Sequence, residues 1–201
     1  MLPEAPSIPH VVPSTRILAL QNYVFPSKNL NFAPRKHAII ISYSMKTTFL
    51  VIGKTTDRNL IALIDDYARR IGHYQPFEVE VIPELKNTKA LSPEQQKQRE
   101  AELLKRSLRP GDHIVLLDEG GREFRSIEFA DYLRQRQAMG ARRMVFIVGG
   151  PYGFAPEVYA LAAEKISLSR MTFSHQMVRL FFVEQFYRAM TILKGEPYHH
   201  E

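Results

Sequence analysis

Two apolar runs constrain the fold most: His113–Leu117 (HIVLL) and Met144–Val148 (MVFIV). Each is continuous rather than alternating. Both faces of such strands must be covered, as in the interior of a parallel sheet with helices on either side. The rest of the sequence from Met45 fits that frame. Thr47–Ile52 (TTFLVI) reads as a strand broken by Gly53. Leu60, Ile61, Leu63, Ile64, Tyr67, Ala68 and Ile71 fall at helical spacing, with Gly72 as the stop. Phe77–Ile82 (FEVEVI) alternates with period two and ends at Pro83. Residues 87–98 are polar and predict a surface loop, within which Ser92-Pro93-Glu94-Gln95 has the form of an N-cap with proline at N1 and glutamine at N3. That helix should run to about Leu108, before Pro110-Gly111. A further helix is expected from Ser126 to near Gly140, a short one over Pro156–Glu164, a fifth strand over Lys165–Leu168 and a long helix over Ser174–Leu193. The order β-α-β-α-β-α-β-α-β-α predicts an α/β fold with a mostly parallel sheet and helices on both faces.

Residues 1–44 differ in kind. They hold six of the thirteen prolines and none of the ten glycines. Proline breaks helices and interior strands, so this part is expected to be an irregular, proline-rich N-terminal extension, with a short apolar piece at Ala38–Ile41. Met45, where the clean pattern begins, also fits a true translation start, with 45–201 as the functional domain. The net charge of +6 divides evenly. Four basic and one acidic residue lie in 1–44, leaving 23 and 20 in the remainder, so each part carries +3. A bulk nucleic-acid signature is therefore weak in 45–201.

The absence of cysteine excludes disulfides, thiolate metal sites, Fe–S clusters and a cysteine nucleophile, and fits a reducing cytoplasm. No apolar run approaches the roughly 18 residues of a membrane span. The first residues have no basic segment followed by an apolar one, so a secretory leader is not expected.

Gly53-Lys54-Thr55 follows a strand but lacks the earlier glycine of a phosphate-binding loop, since Thr48 stands there. Gly149-Gly150-Pro151-Tyr152-Gly153 closes the second apolar strand. Alone it is as compatible with a plain turn as with a loop that lets a ligand approach the backbone. Leu117-Asp118-Glu119-Gly120-Gly121 ends the neighbouring strand, and two such loops on one sheet edge favour a crevice. Asp118 suits either a ligand hydroxyl or amine, or the capping of its own loop. Leu168–His175 mixes apolar side chains with hydroxyls, as an adenine site needs, while Ser174 also suits a helix N-cap. The last helix is apolar over most of its surface, which fits either a core helix or an oligomer face. Glu184 and Arg188 within it are spaced as a helical pair. His199-His200 are adjacent and no cluster completes a metal site around them.

Taken together, GGPYG, LSRMTFSHQMVR, VEQFYRA and the terminal PYHHE closely resemble the ribosomal RNA large-subunit methyltransferase H (RlmH) family, of the SPOUT class. The resemblance covers Met45–Glu201, colinearly, and leaves 1–44 outside it. It implies an S-adenosylmethionine-dependent 23S rRNA (pseudouridine-N3)-methyltransferase. The implied target is pseudouridine 1915 (standard rRNA numbering) in helix 69, on the assembled ribosome. It implies a C-terminal trefoil knot, which periodicity does not reveal, and a cytoplasmic homodimer without metal or membrane. Leu117, Gly149 and the segment Leu168, Ser169, Arg170, Met171, Thr172 and Phe173 match the family's cofactor-binding positions. Tyr198 and His199 match its terminal Tyr-His pair, and the next position, often Arg or Lys in the family, is His200.

N3 of pseudouridine must lose a proton to attack a methyl group, so a general base helps. His199 and Glu184 are the candidates, with Arg188 to offset charge on the base carbonyls. The bland counterpart is catalysis by orientation, with His199 a substrate contact. Arg134, Arg136, Arg142 and Arg143 are candidate phosphate contacts or a solvated face. No RNA-binding module appears, so the ribosome is expected to supply much of the recognition surface. The competing readings are a SPOUT enzyme acting on another RNA and a non-catalytic ribosome-associated binding protein.

Overall fold

A computed structural model describes residues 45–200. The piece expected at Ala38–Ile41 and the whole of 1–44 lie outside the described residues. The chain alternates β1 (Lys46–Ile52), α1 (Arg58–Gly72), β2 (Phe77–Ile82), α2 (Pro93–Ser107), β3 (His113–Glu123), α3 (Ser126–Ala138), β4 (Arg143–Val148), α4 (Pro156–Leu161), β5 (Glu164–Ser167) and α5 (Met177–Lys194). The strands lie in the order β2-β1-β4-β3-β5, every neighbouring pair parallel.

The continuous apolar runs take the interior places they predict. All six residues of β4 are buried. Met144, Phe146 and Val148 face the layer of α1, α3 and α5, while Val145 and Ile147 face that of α2 and α4. The period of two along a strand thus feeds two cores at once. β2, which alternates, is an edge strand. Its Glu78 binds Lys46 at 2.8 Å.

α5 is a core helix. Phe182, Val183, Phe186, Ala189 and Met190 are buried against the sheet. The Phe182 ring lies 4.4 Å from that of Phe49 and 4.8 Å from that of Phe146. Arg179, one turn earlier, is also buried. Its guanidinium donates to Ile52 O at 2.7 Å, Gly53 O at 2.9 Å and Thr55 Oγ1 at 3.0 Å, tying the start of α5 to the end of β1.

The cap on α2 is the one its sequence encodes. Gln95 N donates to Ser92 Oγ at 3.2 Å and Ser92 N to Gln95 Oε1 at 3.0 Å. Ser92→Ala is expected to cost about 1 kcal/mol in chemical denaturation. An unchanged midpoint would contradict that role.

Several boundaries differ from expectation, α5 for one beginning at Met177 rather than Ser174, and strand pairing explains two of them. α4 ends at Leu161 rather than Glu164, because Glu164 already pairs with Val115 as the first residue of β5. Its carboxylate is fixed 2.8 Å from His113 Nε2 and accepts from Tyr132 Oη at 3.3 Å. β3 does not stop at Asp118. Leu117 and Arg122 both stand opposite Ile166, so residues 118–121 swell out of the strand and the pairing then resumes.

Candidate active site

The carboxyl ends of β3, β4 and β5 enclose a cavity of about 630 Å³. That size suits a small-molecule or cofactor site, and the place suits an open α/β sheet. The swollen segment after Leu117 forms one wall. The Gly149–Gly153 turn forms the second, and the loop from Ser167 to His175 the third. Apolar surface comes from Leu117, Val148, Ile166, Leu168 and Phe173.

Local chemistry holds each wall. Asp118 Oδ1 accepts from Gly120 N at 2.9 Å, capping its own loop. Its other oxygen accepts from Tyr159 Oη at 2.6 Å, which joins α4 to the β3 wall. Asp118 therefore caps its own loop, one of the two roles its sequence left open, and it also lines the cavity. Burial and then the Asp118 hydrogen bond push the Tyr159 phenol up to about 12, so it stays a donor at neutral pH. In the third wall Ser167 Oγ donates to Ser169 O at 2.8 Å, and Met171 N donates to Ser169 Oγ at 2.9 Å. Ser174 Oγ accepts from Met177 N at 3.2 Å, so this serine receives the first turn of α5.

Gly121 is required by space. A methyl group there would stand 2.6 Å from the backbone N and C of Ile166. The partner strand cannot yield as a side-chain tip does. Gly121→Ala should therefore force β5 away from β3, costing about 1–3 kcal/mol in stability and loosening two walls of the cavity. A variant as stable as wild type by thermal unfolding would contradict this contact.

Seven of the eight sequence-predicted cofactor positions line this cavity: Leu117, Gly149, Leu168, Ser169, Met171, Thr172 and Phe173. Arg170 does not; its exposed side chain reaches Glu123 at 3.3 Å. Tyr159 and Phe154 line it too, without any mark in the sequence, as does Val178 from the end of the LSRMTFSHQMVR segment. Charged side chains of the lining are the acidic Asp118 and Glu119. Among the described residues no group of His, Asp and Glu is gathered for a metal, and no helix is long and apolar enough to cross a membrane.

The four candidate catalytic residues group elsewhere. Glu184 Oε1 accepts from Arg188 at 2.6 Å and from Tyr198 Oη at 3.1 Å, while Oε2 accepts from Gln185 at 2.7 Å. Tyr198 Oη is also 3.3 Å from Tyr67 Oη, and the Arg188 guanidinium lies 4.8 Å from the Tyr198 ring centroid. Burial first, then Tyr67 and Glu184, raise the Tyr198 phenol, which keeps it protonated. The terminal segment thus folds back onto α5. His199 adjoins this cluster in sequence, and no hydrogen bond among the described residues holds its ring; Nδ1 is buried without a partner. None of the four lines the cavity.

A parallel sheet with a glycine-bordered cavity at its carboxyl edge defines a class of α/β ligand-binding enzyme folds, and the sequence comparisons narrow it. The family model described as "Predicted SPOUT methyltransferase" matches residues 45–199, and the chain belongs to that family. It is 60% identical over 157 residues to the "Ribosomal RNA large subunit methyltransferase H" of Bacteroides thetaiotaomicron, covering 78% of this chain and 100% of that protein. Proteins of the same name from Porphyromonas gingivalis and Flavobacterium psychrophilum are 55% and 52% identical over the same shares.

Proposed function

We propose that the chain methylates N3 of pseudouridine 1915 (standard numbering) in helix 69 of 23S rRNA on the assembled ribosome, with S-adenosylmethionine as methyl donor. The observation that carries the reading is the cavity: seven of the eight residues that the resemblance assigns to the cofactor come together around it. The names of relatives more than half identical over their whole length support the ribosomal substrate. The donor set also fits the group. Apolar walls suit an adenine, the Ser167 and Ser169 loop offers hydroxyls and backbone, and the Asp118–Glu119 rim complements a cation. When bound, S-adenosylmethionine supplies an electrophilic methyl group on a sulfonium.

The chain's own residues then divide the work. Leu117, Gly149 and the 168–173 loop bind and orient, which is much of what an in-line transfer requires. His199, whose ring is not engaged, takes the N3 proton as the uracil ring attacks. Glu184 has donors on both oxygens and serves to hold Arg188 and Tyr198. Arg188 offsets charge on the base carbonyls. Val178 at the start of α5 lines the cavity, whereas Glu184 and Arg188 lie about 9 and 15 Å farther along the helix axis. A homodimer that brings the tail of one subunit to the cavity of its partner joins the two halves of the site. The same reading carries the family's knotted crossing and a cytoplasmic setting.

Calorimetric titration with S-adenosylmethionine tests the cofactor assignment. Saturable binding by the isolated chain is expected. No binding, with ribosomes absent and present, would contradict it and favour a non-catalytic ribosome-associated protein.

A further inference from the structure

Glu100 stands out among side chains that this reading does not use. It lies on α2, is 4% exposed, and pairs with no cation among the described residues. Its Oε1 accepts from Gln96 Nε2 at 2.8 Å, while Oε2 is buried without a partner. The carboxyl is pressed against Gly150 in the second wall of the cavity. A methyl group on Gly150 would stand 2.7 Å from Oε1 and 2.8 Å from Cδ, and would also collide with Oε2. Gly150 is not among the residues with a left-handed φ, so what a side chain there would meet is the Glu100 carboxyl, held in place by its burial, rather than a strained backbone.

We infer that Glu100 is a positioning residue for the cofactor cavity: its buried carboxyl fills the side-chain space of Gly150 and sets where the 149–153 turn stands. This inference rests on the cofactor reading above. The turn is a closed unit, with Gly150 and Gly153 bridged and Gly153 N donating to Gly150 O at 3.1 Å. Glu100 supports Gly150, a residue that also lines the cavity.

Burial disfavours the charged form of this carboxyl. Burial, with Glu84 from the segment after β2 adding to it, raises the Glu100 pKa above the ordinary 4.5, and the Gln96 hydrogen bond opposes the shift. The turn itself, Gly-Gly-Pro-Tyr-Gly, brings no charged side chain. A carboxyl whose folded-state pKa is raised gives full support below its unfolded value, and loses it as pH rises through the folded value. Glu100→Gln keeps the shape of the neutral acid at every pH.

The test combines S-adenosylmethionine affinity by calorimetry with thermal unfolding of the ligand-free chain. Glu100→Ala and Gly150→Ala should each weaken affinity by about tenfold, and their losses should not add in the double variant, since removing the carboxyl frees the space a methyl group needs. Glu100→Gln should bind within about threefold of wild type and gain thermal stability over it from pH 5 to pH 8. Wild-type affinity in Glu100→Ala, or fully additive losses in the double variant, would overturn the inference. So would a Glu100→Gln variant whose stability tracks wild type across that pH range, a measure that holds even where Glu100→Ala fails to fold. A wild-type chain that binds no cofactor would overturn the cofactor reading itself.

Discussion

His199→Ala is expected to lower methyl transfer to ribosomes by roughly 10²–10⁴-fold, the usual worth of a positioned proton acceptor. The prediction follows from the proposed role of the imidazole as acceptor of the N3 proton; no hydrogen bond among the described residues holds its ring, whose Nδ1 is buried. Glu184→Gln should act differently. It leaves a side chain of the same shape but weakens the charge-assisted bond to Arg188, now 2.6 Å long. Its loss should therefore be smaller and accompanied by misplacement of Arg188. Neither residue lines the chain's own cavity, so S-adenosylmethionine affinity should change far less than turnover in both variants. Single-turnover assays alongside calorimetry separate the two effects. Wild-type turnover in both variants would refute the assignment and leave orientation alone to account for the rate.

Phe182→Ala should cost about 3–5 kcal/mol, as large aromatic deletions in closed cores do. Phe182 is fully buried, and its ring lies within 6 Å of Phe49, Phe146 and Phe186. Those neighbours belong to β1, β4 and α5, so no single one can move into the gap without leaving another contact. For a domain of this size a loss of 1 kcal/mol lowers Tm by about 2–4 °C, which makes the expected drop easy to measure. A change under about 1 kcal/mol would mean that α5 is not packed on the sheet as described.

The sheet was legible where burial on both faces left no choice of residue. MVFIV and HIVLL could hardly be anything but interior strands, and their neighbours followed. What escaped was decided by contacts distant in sequence. Gly120-Gly121 reads as the end of a strand, yet the missing side chain of Gly121 lets Ile166 approach so closely that pairing resumes at Arg122. Pro156–Glu164 reads as one helix, yet Glu164 is claimed by β5. Arg179 looks like the polar side of a helix but is buried on three oxygens at the end of β1. Glu100 falls on the buried stripe of α2 with Ala101 and Leu104, but as one acid in a strongly polar helix it reads like Glu102, which pairs with Lys105 on the surface. The cavity walls were legible as motifs because glycine turns and a mixed hydroxyl-apolar loop are unusual at strand ends. Tyr159 and Phe154 were not, because they line the cavity from a plain helix and its approach.

Charge bears on the substrate. Residues 45–201 carry only +3, and Arg134 and Arg143, two of the basic residues read as phosphate contacts, are engaged with Asp131 at 2.7 Å and with Asp112 at 3.1 Å. Arg143 is moreover buried, which removes it from any RNA-facing surface. The proposed substrate, an assembled particle docked by shape, asks less of phosphate contacts than free RNA would. The decisive measurement is transfer of a labelled methyl group from S-adenosylmethionine to ribosomes that lack the modification, followed by mapping of the labelled nucleotide. The account predicts one methyl group per particle, on N3 of pseudouridine 1915, with little label on naked 23S rRNA. Label on a different nucleotide, on tRNA, or equally on naked 23S rRNA would contradict it.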